Sequence, residues 1–250
     1  MAGIFGAKFG GYTSSDRGAW EEKGWPFNAG DPELHKYRHM LIVQGGRVLD
    51  LGSGYGRSSM MFAVSGMSVL AMDERDDCVE TLNGLAFAYG LPIKARLEDV
   101  RKAEIPQDAI DMVLLSNTFN HFSSKKEALE VLGKAVRALR DGGYIWIRAI
   151  GKEDEAFDQF SEAAEKGWGV KKVDGDVFMA NCGCSGMMQM EPHLFFDQLE
   201  LLKFLLGKGT KIVHSEVGSR RGQRNIMFGE DFPRMDVDKT GMVSVLAQKI

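Results

Sequence analysis

The chain has 250 residues, of which 44% are hydrophobic and 26% are charged. This balance is typical of a soluble globular chain with one sizeable core, and it excludes disorder as the main state. The formal net charge of −4 gives no overall attraction to phosphate backbones or anionic lipids, which argues against a duplex nucleic-acid partner or a membrane partner. Three cysteines are too few for a disulfide framework, and the sequence carries no signal-peptide pattern, so we expect a cytoplasmic protein.

The first 46 residues are expected to form an N-terminal arm and a helix that together act as a lid. Residues 1–30 are rich in glycine and aromatic residues but follow no helical or alternating period, which predicts an irregular arm. Asp31, Pro32 and Glu33 then supply an N-cap, a first-turn proline and a first-turn acid, and Gly45-Gly46 supplies a stop. These signals predict a helix over about 32–43.

Five short apolar runs alternate with helical segments between residues 47 and 150. Continuous apolar strands separated by helices indicate a parallel sheet that is covered on both faces. The predicted strands are 47–51, 68–72, 93–97, 110–116 and 144–150, and the predicted helices are 58–64, 76–89 and 125–139.

The alternation ends after Gly151. We interpret residues 47–250 as one domain with a cap insertion at about 151–210, which covers the active edge of the sheet. The insertion contains an acidic helix over 153–166, a stretch rich in glycine, methionine and cysteine over 179–190, and an apolar helix over 195–206. Residues 211–217 and 242–248 then predict an antiparallel strand pair at the sheet edge, joined by a long polar loop.

A glycine-rich turn, Val-Leu-Asp-Leu-Gly-Ser-Gly-Tyr-Gly at 48–56, follows the first strand. Glycines at this place let the backbone approach a ligand closely at the carboxyl edge of an open parallel sheet. The spacing is Gly52-x-Gly54-x-Gly56, and Arg57 occupies the position where a dinucleotide fingerprint needs its third glycine or alanine. This argues against a nicotinamide cofactor.

Two acidic residues at strand ends indicate the chemistry of the ligand. Asp50 lies two residues before Gly52, where a carboxylate repels a pyrophosphate but suits a positively charged ligand. S-adenosylmethionine, which carries an ammonium and a sulfonium and no phosphate, meets that requirement. Asp73 ends the second strand at about the distance along the chain where an acidic side chain accepts hydrogen bonds from both ribose hydroxyls.

The segments VLDLGSGYGR, VLAMD, LEDV, IDMVLLSNTFNHF and LRDGGYIWI follow one another between about residues 46 and 150. In order and spacing, this set resembles the successive motifs of class I S-adenosylmethionine-dependent methyltransferases, with a weaker similarity to the tellurite-resistance and ubiquinone-biosynthesis types. The resemblance implies an α/β, Rossmann-like fold: a seven-stranded, mostly parallel sheet with helices on both faces and an antiparallel last strand. It also implies S-adenosyl-L-methionine as the cofactor.

The resemblance implies cofactor-binding roles at the first two strand ends. The amino-acid half of the cofactor would lie on the glycine turn with Asp50 nearby, and the ribose would be held by Asp73 with Glu74 beside it. From the residues alone, Asp50 has an alternative role, which is to cap the amide groups of the turn. The turn residues implied in binding are Gly52, Ser53 and Gly54.

Further roles are implied at the ends of the third and fourth strands. Glu98 and Asp99 would line the adenine, with Asp99 taking the exocyclic amine. Because basic residues flank these acids at positions 96, 101 and 102, one of the two acids could instead be ion-paired. Ser116 and Asn117 would lie along the methionine moiety, toward the transferred methyl group.

Methyl transfer is an in-line displacement at a sulfonium, so the protein has mainly to align donor and acceptor and to exclude water. If a base is needed, His121 is the candidate, because it follows the fourth strand and imidazole titrates near neutral pH. Asn117 is the second candidate catalytic residue. The alternative for His121 is that it only hydrogen-bonds the loop or packs under the cofactor.

Two pairs of metal-ligating residue types occur outside this set. His35 and His39 lie four residues apart on the predicted N-terminal helix, and Cys182 and Cys184 form a Cys-x-Cys pair. Neither pair has two further ligands at a spacing that closes a tetrahedral site, so we expect no metal. The two cysteines are interpreted as buried or idle thiols.

The acceptor is expected to be selected by the parts outside the core, residues 1–46 and 151–210. Both parts are rich in aromatic and methionine residues and have few clustered charges, which favours a small molecule over a protein or a duplex nucleic acid. The stretch 116–119 also lacks the Asn/Asp-Pro-Pro-aromatic motif of enzymes that methylate exocyclic amines. The sequence therefore predicts methyl transfer to a small-molecule acceptor. The alternative is a regulatory module that binds the cofactor without turnover.

Overall fold

A computed structural model describes the backbone of residues 32–180, 190–226 and 235–250, and the side chains of 33–180, 190–218 and 241–250. The predicted arm at 1–31 and the pair Cys182 and Cys184 lie outside these residues. Within the described ranges, every helix is too short or too polar to cross a membrane.

The described part of the chain forms two β-sheets. In chain order the strands are β1 Arg47–Leu51, β2 Ser68–Asp73, β3 Ile93–Leu97, β4 Ile110–Ser116, β5 Leu139–Ile150, β6 Val170–Asp174, β7 Val177–Ala180, β8 Glu191–Leu194, β9 Thr210–Ile226 and β10 Met235–Lys249. Seven strands form the main sheet in the order β3-β2-β1-β4-β5-β10-β9, and the other three form a smaller sheet in the order β6-β7-β8.

The main sheet is parallel except at one strand. β1 pairs in parallel with β2 and β4, β2 with β3, and β4 with β5. β10 is antiparallel to both of its neighbours, β5 and β9. This arrangement confirms the predicted seven-stranded, mostly parallel sheet with an antiparallel last strand.

Six α-helices are described. They are α1 Pro32–Leu41, α2 Arg57–Ala63, α3 Asp76–Tyr89, α4 Lys125–Ala138, α5 Glu155–Glu165 and α6 Gln198–Leu206, and a 3-10 turn covers Phe119–His121. Local signals set several of their ends: the Ser124 hydroxyl accepts a hydrogen bond from the backbone of Glu127 at the start of α4, and α3 ends at Gly90, whose φ is +62°.

Helices cover both faces of the main sheet, as predicted. Alternate residues of one strand enter two different cores: Val113 packs with α4 and α6 on one face, and Leu114 packs with α1, α2 and α3 on the other. Because β1, β2 and β4 are buried on both sides, their sequences are mostly apolar, and this pattern predicts them.

The segment after β5 contains more structure than the sequence predicted. Helices α5 and α6 were expected, but the antiparallel sheet β6-β7-β8 was not. This sheet and α5 enclose an apolar cluster of their own, in which the rings of Phe160, Phe178 and Phe195 lie 5.8 Å apart. Strand β8 packs on the 3-10 turn that follows β4, so this segment lies at the carboxyl edge of the main sheet.

Strands β9 and β10 are longer than predicted. They pair from Thr210 to Ile226 and from Met235 to Lys249, where the sequence indicated strands only over 211–217 and 242–248. The additional residues are polar and rich in glycine and arginine, so no apolar alternation reveals them. Pairing of the backbone extends the two strands beyond the part that the core requires.

Candidate functional site

The glycine turn lies at the carboxyl ends of β1 and β2. The backbone N–H groups of Gly52 and Ser53 donate to the carbonyl of Met72, at 2.8 and 3.0 Å. Gly52 has a φ of +72°, and a Cβ there would lie 2.5 Å from Cγ2 of Thr118. Only glycine fits this position, because both the backbone conformation and the packing against Thr118 exclude a side chain.

Gly54 and Asp73, which the sequence placed at the same edge, are in direct contact. The N–H of Gly54 donates to Oδ2 of Asp73 at 2.7 Å, and the N–H of Arg75 donates to Oδ1 at 3.0 Å. A Cβ added to Gly54 would meet no described atom within 4 Å, so the turn faces open space here. Each carboxylate oxygen accepts more than one hydrogen bond, so Asp73 keeps capacity for a ligand.

A second network ties the turn to α3, and it was not found from the sequence. The Tyr55 hydroxyl donates to Oδ2 of Asp77 at 2.6 Å. The Arg75 guanidinium donates to that same oxygen at 2.7 Å and to the Tyr55 hydroxyl oxygen at 3.2 Å, and its Cζ lies 5.7 Å from the Tyr55 ring centre. The network holds the tip of the glycine turn against the residues that follow β2.

Asp50 is buried near the carboxyl end of β1, with 2% of its surface exposed. Its Oδ2 accepts a 2.7 Å hydrogen bond from the Ser59 hydroxyl on α2. Burial raises the pKa of Asp50 to about 6, the nearby Asp73 carboxylate adds to the rise, and the Ser59 hydrogen bond opposes it. The carboxylate therefore contacts α2 and not the amides of the glycine turn, and a cation bound beside it would favour its charged form.

Asp99 and Glu74 are joined by Arg101. The Arg101 guanidinium binds Oδ1 of Asp99 at 2.6 Å and Oε2 of Glu74 at 2.7 Å. Burial opposes ionisation of Asp99, but the hydrogen bonds from Arg101 outweigh it, and the pKa of Asp99 is below its ordinary value. Of the two acids after β3, Asp99 is thus the ion-paired one, while Glu98 donates its N–H to the Asp73 carbonyl at 2.9 Å.

The end of β4 presents two buried polar atoms whose hydrogen bonding is incomplete. Oγ of Ser116 and Oδ1 of Asn117 are both buried, and neither has a hydrogen-bond partner among the described residues. Asn117 also has a φ of +62°, and its N–H donates to the carbonyl of Arg148 at 2.8 Å. Buried polar atoms without partners destabilise a fold by about 1–3 kcal/mol each. They lie at the carboxyl edge of the sheet, where open parallel sheets bind ligands, and are available to hydrogen-bond one there.

His121 is exposed and lies on the side of the site that the β6-β7-β8 sheet covers. On that sheet, burial and, second to it, the charge of His121 lower the pKa of His193 to about 4. His193 also contacts the ring of Phe160, with ring centres 4.9 Å apart. Sequence reasoning identified His121 but missed His193, which comes 72 positions later and carries no motif.

Asn120 is a further residue that sequence reasoning missed. Its Oδ1 accepts a 3.1 Å hydrogen bond from the N–H of Ile150 at the end of β5, and the side chain is buried. It therefore fixes the loop that carries Asn117 and His121 to the neighbouring strand.

Comparison with known sequences finds methyltransferases that are similar to this core. Residues 48–143 match the sequence profile of a family described as a methyltransferase domain. The chain is 23% identical over 115 residues to the uncharacterized methyltransferase YcgJ of Bacillus subtilis, across 46% of this chain and 45% of that protein. It is 27% identical over 114 residues to the "Probable S-adenosyl-L-methionine-dependent methyltransferase TehB" of Haemophilus influenzae, across 46% of this chain and 39% of that protein. Each match spans less than half the length of the relative.

Solved structures share the fold over a longer stretch. A crystal structure of an S-adenosylmethionine-dependent methyltransferase from Methanosarcina mazei superposes with a TM-score of 0.67 at 17% identity, covering 88% of this chain and 98% of that chain. The crystal structure of TehB from Haemophilus influenzae superposes with a TM-score of 0.63 at 18% identity, covering 92% and 65%. Residues 48–143 are thus similar to a methyltransferase domain, and the chain shares its fold with S-adenosylmethionine-dependent methyltransferases.

Proposed function

We propose that the chain transfers a methyl group from S-adenosylmethionine to a small-molecule acceptor by in-line displacement. The observation that carries the proposal is the pair of buried polar atoms at the end of β4, Oγ of Ser116 and Oδ1 of Asn117, which lack partners among the described residues. They lie at the edge that also presents the open face of Gly54 and the Asp73 carboxylate. A ligand that spans this edge satisfies all of them at once.

The residues present fit S-adenosylmethionine. Asp73 would accept hydrogen bonds from the ribose, because its carboxylate is held in place by two backbone N–H groups and keeps free acceptor positions. Asp50 would favour the positively charged amino-acid end, since a cation offsets the burial of that carboxylate. The adenine would be lined by Glu74, Glu98 and Asp99. The Asp99 carboxylate would bind both Arg101 and the adenine amine.

The cofactor supplies an electrophilic methyl carbon: an acceptor lone pair forms a bond to that carbon while the carbon–sulfur bond breaks and its electrons stay on sulfur. The task of the chain is alignment. Ser116 and Asn117 would hold the methionine end beside the acceptor, and Asn120 fixes their loop to β5. His121 would take the proton from an acceptor that has to lose one, because it is exposed on the cap side of this loop.

The small size of the acceptor is inferred from what covers the site. β8 packs on the 3-10 turn beside His121, and an aromatic cluster around Phe160 and Phe178 supports it. Such a cover encloses a compact molecule but obstructs a folded protein or a duplex. Residues 1–46 and 151–210 would then act as lid and cap, and the expected location in a reducing cytoplasm stays part of this proposal.

Two measurements test the proposal in sequence. Isothermal titration with S-adenosylhomocysteine is expected to show one site per chain with a micromolar dissociation constant. A screen of small hydroxyl, amine and thiol compounds with methyl-labelled cofactor is then expected to find label transfer that Asn117→Ala reduces. Cofactor binding without transfer to any acceptor would favour the regulatory module, and absence of binding would overturn both functions.

A further inference from the structure

A basic groove lies on the face of the main sheet that is opposite to α1, α2 and α3. It has a volume of about 700 Å³ and runs between α4 and α6. Its floor is formed by Leu129, Gly133 and Phe204. Five cations and one acid line it: Lys125, Lys126, Lys134, Arg137, Lys208 and Glu130. A groove with this charge is unexpected in a chain whose net charge is −4, and neither cofactor binding nor methyl transfer uses it.

Most of these cations are directed to solvent. Lys125 is ion-paired with Asp176 and Glu200, but Lys126 is 88% exposed and lies 4.0 Å from Glu130 at the limit of ion pairing. The Lys208 ammonium lies 5.2 Å from the ring centre of Phe204. The Lys134 ammonium donates to the Arg101 carbonyl at 2.8 Å, so three exposed cations, at positions 126, 137 and 208, surround the apolar floor.

Gly133 lines the groove and is itself buried. It lies in the interior of α4, where glycine is less stable than alanine. A Cβ at this position would lie 3.5 Å from Arg137 and 3.8 Å from Phe204, which are ordinary contact distances. The packing of the chain therefore does not require glycine here.

The chain itself presents a surface that complements the groove. Helix α5 carries an acidic stripe at spacings of three, four and three residues, which places the four side chains on one helix face. The stripe consists of Glu155, Asp158, Glu162 and Glu165, and the last three are exposed. Glu162 is ion-paired with Lys166, so Asp158 and Glu165 are the exposed acids offered to a partner. The opposite face of α5 is anchored by Phe160 in the cap cluster.

The two surfaces also match in length. The stripe from Glu155 to Glu165 rises about 15 Å along α5, and the basic row from Lys126 to Arg137 rises about 16 Å along α4, at 1.5 Å per residue. We propose that the groove between α4 and α6 docks the acidic face of α5 from a second copy of this chain. The contact joins two different surfaces, so it either repeats head to tail or closes reciprocally in a dimer.

Sedimentation velocity of the full chain tests this, with the protein studied over a range of concentrations. At about 0.02 M salt, where charges act over roughly 20 Å, the weight-average sedimentation coefficient is expected to rise with protein concentration; at about 0.3 M salt the rise is expected to disappear. A chain that stays monomeric at low salt over the whole range overturns the proposal.

Charge reversal on each surface identifies the contact. Arg137→Glu/Lys208→Glu in the groove and Asp158→Lys/Glu165→Lys on α5 are each expected to abolish the association, and an equimolar mixture of the two variants is expected to restore it. The matched control for the groove variant is Lys94→Glu/Arg96→Glu on the exposed edge strand β3. It makes the same charge change as the groove variant and is expected to associate as the parent does.

Gly133→Ala separates docking from folding. The variant is expected to melt at a higher temperature than the parent but to associate at least about fivefold more weakly, because the added methyl group occupies the floor of the groove. If the groove variants lose association while the α5 variant keeps it, the occupant is another acidic surface and the assignment to α5 is wrong. Because titration with S-adenosylhomocysteine reads the cofactor edge alone, the proposed function and this contact are tested separately.

Discussion

The backbone N–H of Gly54 donates a 2.7 Å hydrogen bond to Oδ2 of Asp73. This contact joins the turn after β1 to the end of β2, where Asp73 is only 8% exposed. It also fixes the direction of the Asp73 carboxylate beside the turn. The two residues that the resemblance assigned to different halves of the cofactor are thus parts of one structural unit. Changes to either residue are expected to affect ribose binding and turn geometry together.

Asp73→Ala is expected to weaken binding of S-adenosylhomocysteine at least about tenfold, or ~1.4 kcal/mol, which is the scale of hydrogen bonds to a charged group. Asp73→Asn keeps one acceptor oxygen and is expected to lie between the parent and the alanine variant. Isothermal titration measures both variants, with circular dichroism as the control for folding. Equal affinity of the alanine variant and the parent would show that Asp73 does not hold the ribose.

Tyr55→Phe is expected to lower the free energy of unfolding by about 1 kcal/mol, since it removes the hydroxyl shared by Asp77 and Arg75 but keeps the ring. The glycine turn then loses its tie to α3, so cofactor affinity is expected to fall a few-fold as well. Urea unfolding and titration with S-adenosylhomocysteine check the two effects. Tyr144→Phe, at a partly buried position in β5, serves as the control variant. A Tyr55→Phe protein with unchanged affinity would restrict the network to a role in stability.

Asp50 is expected to make stability depend on pH. Burial raises its pKa from 3.8 to about 6, so the folded state binds the proton more tightly than the unfolded state does. The contribution of Asp50 to the free energy of unfolding is therefore largest below about pH 4 and falls by about 3 kcal/mol as the pH rises through 6. Asp50→Asn is expected to remove this decline, which urea unfolding at several pH values measures. The same decline in the variant would assign it to another group.

The same residue is expected to couple cofactor binding to pH. A bound ammonium favours the charged carboxylate, so binding below about pH 6 releases a proton and the affinity for S-adenosylhomocysteine falls as the pH is lowered. Titration in buffers of different ionisation enthalpy measures the proton released. In Asp50→Asn the release is expected to vanish, and a variant that still releases it would exclude Asp50 as the source.

Ser116→Ala is expected to separate stability from function. The Ser116 hydroxyl oxygen is buried without a partner among the described residues, so its removal is expected to leave the free energy of unfolding unchanged or to raise it by up to about 1 kcal/mol. Binding of the cofactor or the rate of transfer is expected to fall, because the ligand loses a hydrogen bond. Thermal melts with and without S-adenosylhomocysteine report both quantities. A loss of stability in the free protein would mean that the hydroxyl has a structural role.

The core of the fold was predictable because its signals are local. β1, β2 and β4 are short apolar runs closed by glycine, aspartate or serine, and the predicted ends of β1 to β4 agree with the structure to within a residue. The cap sheet lacks such signals: four of the five residues of β6 are exposed, and β7 merges with a stretch rich in glycine, methionine and cysteine. Its strands are specified by packing on α5 and not by an alternating pattern.

The site was predictable where a strand end fixes a residue in space. Asp50, Asp73 and Ser116 were placed at one edge because the carboxyl ends of parallel strands meet there. The partners of these residues were not predictable. Ser59, the hydrogen-bond partner of Asp50, lies about one helix turn beyond the glycines. His121 acts on His193 only because the cap folds over the 3-10 turn. Contacts between side chains distant in sequence leave no periodic signal.

Titration of the purified chain with S-adenosylhomocysteine tests whether this sheet edge binds the cofactor. We expect one site per chain with a micromolar dissociation constant, weakened at least about tenfold in Asp73→Ala. Absence of both binding heat and a thermal shift at about 1 mM ligand, a concentration far above the expected dissociation constant, would contradict the assignment of this sheet edge to the cofactor.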